Sequence, residues 1–449
     1  MSLLKTIPKV DKFIQHKAFE GLSNKLIASL CKEVLNALRE NILKYHITSV
    51  EEESLVQEVL QKYNTVIKPS LQTVINATGV IVHTNLGRSL IDEKLFNKVK
   101  NIVTHYNNLE YDLQKGKRGE RYEHISKVIC QYLGCEDVLI VNNNASAVFL
   151  ILNTFAKNKE VIVSRGELVE IGGSFRVPEV MAQSGAILKE VGATNKTHLK
   201  DYVNNINENT TMLMKVHKSN YSIEGFASEV SVEEVIKTAQ ENNLIDYYDM
   251  GSGHFIDLPY NLDIEEPSVR KIMQHNPSLL SFSGDKLLGS VQAGIIVGKK
   301  KYIEQLKRNQ LLRMLRVDKL TLALLEESIK ALLLGNINDI PTLKMLFTSI
   351  ELLNSRALQV QNALENICES KIIQTQTIIG GGTTPNKKIP TVALTIGFNT
   401  LKPHQIERLF RAKNIIGRIE EEQFLLDFRT ILEEDLENLT KTIKEIIHA

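Results

Sequence analysis

The residue best placed to do chemistry is Lys286, within SFSGDKLLGS at positions 281–290. Small residues surround it, and the apolar run AGIIVG follows at 293–298. A lysine that is desolvated, or close to another cation, has a lowered pKa, and its free amine becomes available for Schiff-base chemistry. Ser283 precedes it by three residues and could present a hydroxyl to a phosphate. Taken alone, the stretch also fits an ordinary surface loop.

A carboxylate closes an apolar run upstream of this lysine. Asp249 lies near the end of LIDYYDM at 244–250, and Gly251-Ser252-Gly253-His254 follow it. A carboxylate at the carboxyl end of a core strand is costly unless it is paired. In pyridoxal-phosphate enzymes the partner is the protonated pyridine nitrogen, whose charge makes the ring an electron sink. An aspartate that only caps a turn is the alternative interpretation.

A third element, VNNNASAVFL at 141–150, predicts a strand that runs directly into an apolar helix. The turn places backbone N–H groups and the small polar side chains of Asn144 and Ser146 at a helix N-terminus, which favours an anion. The sequence therefore predicts a phosphate seat. Plain N-capping by asparagine or serine explains the same residues and is compatible with it.

The elements that must position these residues alternate between β-rich runs and helix-length segments, which is typical of an α/β protein with a mostly parallel sheet. Ligands of such sheets bind at the carboxyl ends of the strands. The predicted strands are DVLIV (137–141), EVIVS (160–164), AILKEV (186–191), TMLMKV (211–216), LIDYYDM (244–250), LLSFSG (279–284) and AGIIVG (293–298).

The order of the three elements along the chain is phosphate turn, strand-ending aspartate, lysine. This order is that of aspartate-aminotransferase-type (fold type I) pyridoxal-phosphate enzymes. Neither a GxGxxG fingerprint nor a GxxxxGK[ST] loop occurs in the sequence, which disfavours dinucleotide-dependent oxidoreductases and P-loop NTPases.

Arginines cluster near these elements. The candidates are Arg88, Arg118 and the pair Arg313 and Arg316, which share a face if their segment is helical. A guanidinium matches phosphate oxygens bidentately, so this density indicates anionic ligands. Because pyridoxal phosphate needs one phosphate seat, the surplus suggests a substrate that is itself anionic.

Composition sets broad limits. The 449 residues carry a net charge of +1, which excludes a polybasic surface along the whole chain. The four cysteines form no zinc-binding spacing, and Cys130 and Cys135 are interpreted as buried free thiols in a reducing compartment. No signal-peptide core and no run long enough to cross a bilayer are found, so we expect a cytoplasmic protein.

Three domains are predicted from changes along the chain in the pattern of helix-like and strand-like segments. Residues 1–70 read as a mildly basic helical domain, 71–335 as the large α/β domain, and 336–449 as a small α+β domain. The second N-terminal helix is predicted over 49–63, where Ser49 and Glu52 form a capping box.

Seven segments together resemble the bacterial selenocysteine synthases, the L-seryl-tRNA(Sec) selenium transferases. The similarity is specific from about residue 70 to 340 and looser toward both ends. The segments are INATGVIVHTNLGRSL (75–90), YDLQKGKRGERYEHI (111–125), VNNNASAVFL (141–150), ELVEIGGSFRVPEVMAQSGAILKEVGATNKTHLKDY (167–202), DMGSGHF (249–255), SFSGDKLLGSVQAGIIVGKK (281–300) and LLRMLRVDKLTLALLE (311–326).

The resemblance implies roles for individual residues. Lys286 would be the Schiff-base lysine and the base for the α-proton, and Asp285 a further active-site residue. The cofactor, pyridoxal 5'-phosphate, would be held by Lys286, Asp249, Asn144, Ser146, Ser283 and His254. The anion of the selenium donor would be held by Arg88, Arg118, Arg313 and Arg316. The general acid stays open between His217 and His254.

The resemblance also implies a reaction and partners. Seryl-tRNA(Sec) would lose its β-hydroxyl to give a dehydroalanyl intermediate, and selenium from selenophosphate would add to it. The N-terminal domain would bind the tRNA, and the chain would form a homo-oligomeric ring of dimers, a homodecamer. Two alternatives stay open: a related pyridoxal-phosphate lyase acting on a small amino or sugar acid without tRNA, and a non-catalytic RNA-binding protein on the same fold.

Overall fold

The computed structural model describes residues 4, 7–45, 51–171, 175–218, 221–223, 225–262, 266–365, 367–398 and 401–448. The chain divides into two compact units, Met1–Thr73 and Val74–Ala449. Among the described residues, no helix is long and apolar enough to cross a membrane.

The described residues form seventeen α-helices and seventeen strands. The helices are α1 Val10–Phe13, α2 Asn24–Tyr45, α3 Glu52–Ile67, α4 Glu93–Thr104, α5 Glu123–Leu133, α6 Asn144–Phe155, α7 Val177–Ser184, α8 Leu199–Val203, α9 Val232–Glu241, α10 Val269–Met273, α11 Lys300–Arg308, α12 Leu312–Leu315, α13 Lys319–Leu333, α14 Pro341–Phe347, α15 Ile350–Ala363, α16 Pro403–Ala412 and α17 Leu436–His448. The strands are β1 Ile75–Asn76, β2 Tyr111–Asp112, β3 Lys117–Arg118, β4 Asp137–Val141, β5 Glu160–Ser164, β6 Glu170–Ile171, β7 Phe175–Arg176, β8 Ile187–Val191, β9 Thr210–Val216, β10 Ile245–Gly251, β11 Leu279–Ser283, β12 Gly294–Gly298, β13 Glu369–Gly380, β14 Thr383–Gly397, β15 Ile415–Ile416, β16 Arg418–Glu420 and β17 Gln423–Asp427.

The N-terminal unit is a helical module with its own core. Apolar residues at three- and four-residue spacing on α2, among them Ile27, Val34 and Leu35, pack against α3. The predicted start of α3 was wrong. The helix begins at Glu52, with Glu51 as an N-cap that makes no side-chain hydrogen bond, and Ser49 lies outside the described residues.

A seven-stranded sheet in the order β4-β12-β11-β10-β9-β5-β8 forms the centre of the second unit. All of its neighbours are parallel except β12, which is antiparallel to both β11 and β4. Each of the seven predicted strands is present, with ends that differ by at most one residue. The predicted α/β class with a mostly parallel sheet is therefore confirmed.

The C-terminal part contains a four-stranded antiparallel sheet, β13-β14-β17-β16, around a hydrophobic cluster of its own. The strand predicted over 392–397 is only the end of the long strand β14, and the glycines at 380–382 form the turn that joins it to β13. The segment after Thr73 also joins this part, because β1 pairs with β15. The division of residues 71–449 into two domains at residue 335 stays a prediction.

Candidate active site

The three predicted chemical elements meet at one edge of the large sheet. Parallel strands β4 and β10 end there, and β11 ends there with Lys286 three residues beyond it. The start of β12 lies between β4 and β11, where a Cβ on Gly294 would come within 2.1 Å of the Asn143 carbonyl oxygen. Glycine at 294 thus allows the antiparallel strand to approach the turn after β4.

The turn after β4 is capped by a residue that sequence reasoning did not select. Asn143 is the N-cap of α6, and its side chain accepts a hydrogen bond of 2.8 Å from the amide of Ser146. Asn144 and Ser146 occupy the first helical turn, whose amides have no acceptor within a helix. Asn143 therefore fixes the geometry of the predicted phosphate seat. In NNNAS, an asparagine three residues before the serine is the pattern of an N-cap. This pattern could have identified Asn143 from the sequence.

Asp249 is buried at the end of β10 and is held by two donors. Asn144 Nδ2 donates to its Oδ1 at 2.7 Å, and the amide of Gly251 donates to the same oxygen at 3.0 Å. Burial nonetheless raises the pKa of Asp249, although these donors and the charge of Lys286 act in the opposite direction. The site therefore favours a cationic or N–H partner for this carboxylate.

Lys286 lies in the same region and is 6% exposed. Burial lowers the pKa of its amine, and the positive charge of Arg88 lowers it further. Among the described residues, its Nζ forms neither an ion pair nor a hydrogen bond. A buried amine with a lowered pKa is the state that Schiff-base chemistry requires.

Asp285 and Arg88 form an ion pair directly beside this lysine. Arg88 Nη1 lies 2.8 Å from Asp285 Oδ2, and Ser89 Oγ donates to the Lys286 carbonyl oxygen. Arg88 adopts a left-handed conformation, with φ of 63°, which non-glycine residues seldom adopt. The loop after residue 83 is thus joined to the lysine turn by an ion pair between side chains and by a hydrogen bond to the backbone.

The remaining predicted cofactor residues are buried near the same strand ends. Ser283 is the last residue of β11, and its hydroxyl makes no hydrogen bond to another described residue. His254 is buried, and its carbonyl accepts from the amide of Val269. His217 is only partly buried, and its amide donates to the Asp249 carbonyl at 2.9 Å. The choice of general acid stays open.

The predicted anion-binding arginines fall into two groups. Arg118, Arg313 and Arg316 line one cavity of about 420 Å³ together with Arg121, whereas Arg88 contacts Asp285. Among the described residues, no hydrogen bond or ion pair joins Arg88 to that cavity. The backbone of Arg316 forms a bridge to Val141, which places the cavity beside the end of β4.

The expectation that Arg313 and Arg316 share a helical face was wrong. Helix α12 ends at Leu315, and Arg316 is extended, with φ of −70° and ψ of 145°. The bridge between Arg316 and Val141 accounts for this, because it needs extended backbone. The cavity nevertheless holds both side chains.

Glu110 is the acidic centre of this arginine cavity. Its carboxylate lies 2.7 Å from Arg121, 3.1 Å from Arg118 and 3.8 Å from Arg316. The hydrogen bond from Arg121 holds the pKa of Glu110 below its usual range. Among the described residues, Arg308 and Arg313 form no ion pair, so the cavity keeps positive charge that Glu110 does not neutralise.

The residues at the sheet edge fit pyridoxal phosphate. The buried Asn144 Oδ1 has no hydrogen-bond partner among the described residues, and the buried Asp249 has no cation within ion-pair distance. Lys286, Asp249 and the first turn of α6 would supply an amine, a ring-nitrogen partner and a phosphate seat for this group.

Comparison with known proteins decides the family. The family model of L-seryl-tRNA selenium transferase matches residues 74–432. This chain belongs to that family. It is 68% identical over 446 residues to the L-seryl-tRNA(Sec) selenium transferase of Sulfurimonas denitrificans, with 99% of each chain covered. It is 63% identical over 449 residues to that of Aliarcobacter butzleri, with all of both chains covered.

A solved structure shares the fold at much lower identity. D-glucosaminate-6-phosphate ammonia-lyase is 19% identical, with a TM-score of 0.62 over 86% of this chain and 98% of that chain. At this identity the similarity supports the architecture alone. The family assignment rests on the sequence relatives, whose match includes the N-terminal unit.

Proposed function

We propose that this chain converts L-seryl-tRNA(Sec) to L-selenocysteinyl-tRNA(Sec), with selenophosphate as the selenium donor. The observation that carries the proposal is the buried pair Lys286 and Asp249, with Asn144 hydrogen-bonded to Asp249, in a chain that belongs to the L-seryl-tRNA selenium transferase family. The reaction removes the seryl β-hydroxyl as water and adds the selenium of selenophosphate at the β-carbon, while the P–Se bond breaks and the phosphoryl group passes to water as phosphate.

Pyridoxal 5'-phosphate is the cofactor, and when bound it withdraws electrons from the α-carbon of the amino acid joined to it. Lys286 Nζ would hold it covalently, Asp249 would be the partner of its ring nitrogen, and the α6 N-terminus with Ser146 and Ser283 would hold its phosphate. Asn144 holds Asp249 in place through its 2.7 Å hydrogen bond. His254 lies in the same buried region.

Lys286 Nζ is the base for the α-proton of the seryl group. Burial and Arg88 lower its pKa, so a larger fraction of the amine is neutral and able to accept a proton near neutral pH. Asp285 forms an ion pair with Arg88 and holds that cation beside the amine. Asp285 thereby acts through Arg88 on the proton affinity of Lys286.

The selenium donor carries a phosphoryl group, and the arginines are suited to bind it. Arg118, Arg313 and Arg316 line a cavity beside the end of β4, while Arg88 lies at the lysine turn. Guanidinium groups bind phosphoryl oxygens bidentately. Arg316, one of the residues that line the cavity, is also joined by its backbone to Val141, just before the turn that leads to Asn144.

The N-terminal unit offers a surface for the tRNA. Lys25, Lys32 and Arg39 are spaced by seven residues on α2, are all exposed, and among the described residues form no ion pair with a carboxylate. Seven residues make almost two helical turns, so the three cations form one stripe about 21 Å long. The stripe lies opposite the buried face of α2, where it can follow the phosphates of an RNA arm.

The protein is further proposed to be a cytoplasmic homo-oligomer, a ring of dimers that the resemblance gives as ten copies. Exposed apolar side chains around the β2–β3 hairpin, including Tyr106, Tyr111 and Leu113, support burial against another copy. Native mass spectrometry of the purified chain measures the copy number. A monomer under those conditions would contradict the proposal.

The alternative activity is a lyase that acts on a small amino or sugar acid without tRNA. The structural similarity to D-glucosaminate-6-phosphate ammonia-lyase shows a shared fold and does not favour that substrate. The full-length relatives at 63–68% identity favour the tRNA enzyme instead.

The deciding experiment incubates the purified protein with seryl-tRNA(Sec) and selenophosphate and measures selenocysteinyl-tRNA(Sec). Lys286→Ala should abolish the visible absorption of lysine-bound pyridoxal phosphate and lower turnover by roughly 10²–10⁴-fold through loss of the base alone. Lys237→Ala, at an exposed position of α9, is the matched control and should keep both properties. Turnover of a free amino acid with no selenocysteinyl-tRNA would refute the proposal.

A further inference from the structure

Two cysteines outside the active site lie in contact. Cys130 Sγ and Cys135 Sγ are 3.3 Å apart, at the junction between α5 and β4. Their spacing in the sequence indicates no more than free buried thiols. The structure shows both as free, with Cys135 buried and Cys130 only partly so.

The contact follows from the way helix α5 ends. Gly134 has a φ of 71°, and its amide donates to the Cys130 carbonyl at 2.8 Å. In such a left-handed C-cap, the side chains four residues before the glycine and just after it are brought together. Backbone hydrogen bonding therefore holds Cys130 and Cys135 as neighbours. Two apolar side chains at these positions would fit the same turn.

The two thiols differ in ways suited to thiol–disulfide exchange. The hydrogen bond from Cys135 lowers the pKa of Cys130, and Ser126 Oγ lies 3.9 Å from the Cys130 sulfur. The same hydrogen bond, together with burial, raises the pKa of Cys135. Lys307 and Asp137, which are 2.7 Å apart, are the charged groups near this pair. Cys130 is thus the more accessible thiol and the more readily ionised one, and Cys135 is the protected second thiol.

We propose that Cys130 and Cys135 form a reversible dithiol–disulfide site that reacts with small-molecule disulfides. The Cys130 thiolate attacks the disulfide RSSR, forming a mixed disulfide and releasing one RS⁻. Cys135 then loses its proton and attacks the Cys130 sulfur, which forms the intramolecular bond and releases the second RS⁻. The protein gives up two electrons and two protons, and RSSR becomes two RSH.

The site lies at the start of β4, whereas Asn144 and Ser146 follow the end of this strand and the other proposed cofactor residues lie at the ends of β10 and β11. We therefore expect its oxidation to leave the visible band of the bound cofactor unchanged. That band reports independently that the protein stays folded during the experiment.

The test titrates the full-length holoenzyme with reduced and oxidised glutathione, blocks the remaining thiols by alkylation, and maps peptides by mass spectrometry. The expected product has Cys130 joined to Cys135 and carries no glutathione, and dithiothreitol reverses it. A pair that stays reduced at every glutathione ratio, or a wild-type protein that retains glutathione on Cys130, would overturn the proposal.

Variants separate the two roles. Cys135→Ser should accumulate a stable glutathione adduct on Cys130, because the second thiol is missing. Cys130→Ser should leave Cys135 reduced, since the accessible thiolate has been removed. Cys31→Ser and Cys368→Ser are matched controls that should leave the intramolecular bond unchanged. Equal glutathione adducts on Cys130 in wild type and Cys135→Ser would show that Cys135 does not act as the second thiol.

Discussion

At the scale of single residues, the ion pair between Arg88 and Asp285 controls the charge next to Lys286. Arg88 lowers the pKa of the lysine and, through its ion pair with Asp285, opposes the smaller upward effect of that carboxylate. Arg88→Gln removes the cation and frees the carboxylate, so both changes move the pKa of Lys286 upward. The nitrogen through which Lys286 would hold the cofactor experiences the same two charges, so we expect the pH midpoint of the cofactor's visible absorption to move to higher pH.

Arg118→Gln is the control for this titration. Arg118 contacts Glu110 and no described residue at the lysine turn, so its loss should leave the midpoint unchanged. It should instead raise the KM for the selenium donor. A midpoint that falls in Arg88→Gln, or that moves equally in both variants, would show that the ion pair does not set the proton affinity of Lys286.

The hydrogen bond from Asn144 to Asp249 makes a second residue-level prediction. Asn144 stabilises the ionised carboxylate and so lowers its pKa, against the larger effect of burial. Asn144→Ala should raise the pKa of Asp249 further, and the carboxylate should be lost at a higher pH on acidification. Cofactor retention is followed by the visible band as the pH is lowered. The acid limb of this curve, where the band is lost, should therefore lie at higher pH than in the wild type.

Asn153→Ala provides the matched comparison for this variant. Asn153 lies on the same helix, α6, but donates to the Ser184 carbonyl and has no contact with Asp249. Its acid limb should coincide with that of the wild type. The interpretation fails if the acid limb of Asn144→Ala lies at lower pH than that of the wild type, or if it coincides with that of Asn153→Ala.

At the scale of elements, the antiparallel strand β12 determines how closely the lysine turn and the phosphate turn can lie. Gly294→Ala would place a Cβ within 2.1 Å of the Asn143 carbonyl oxygen, so backbone must move. Overpacking of this kind costs about 1–3 kcal/mol. We expect a lower Tm together with weaker cofactor retention, because the displaced turn carries Asn144.

Gly397→Ala is the comparison, since its Cβ would meet atoms only at 3.8 Å and beyond. It lies at the end of β14 and should change Tm far less, with cofactor retention unaffected. Equal losses of cofactor in the two variants would mean that the approach of β12 to the phosphate turn is unimportant.

The strands of the large sheet could be predicted from the sequence because each is a short, buried apolar run. The lengths of β13 and β14 could not, since they form a partly exposed hairpin whose residues show little apolar pattern. Among site residues, Lys286, Asp249 and Asn144 are found together as expected. The pairing of Arg88 with Asp285 joins residues 197 positions apart, and no local pattern predicts such a contact.

At the scale of the whole molecule, the two compact units suggest separate tasks for tRNA binding and chemistry. The stripe of Lys25, Lys32 and Arg39 tests this division without removing any core residue. Replacing all three by glutamine should raise the Kd for seryl-tRNA(Sec). It should also reduce the slope of log K against log salt by roughly 0.7–0.9 for each lost phosphate contact.

The same triple variant should keep the cofactor's visible band and, at saturating tRNA, the wild-type kcat. A second variant, Lys44→Gln with Lys62→Gln, removes cations of the same unit that are paired with Glu40 and Glu33. Because those carboxylates already neutralise them, tRNA affinity and salt slope should change little. If wild type binds tRNA but the triple variant binds as tightly with an unchanged slope, the stripe is not the docking surface. If wild type itself does not bind, the proposed substrate is wrong.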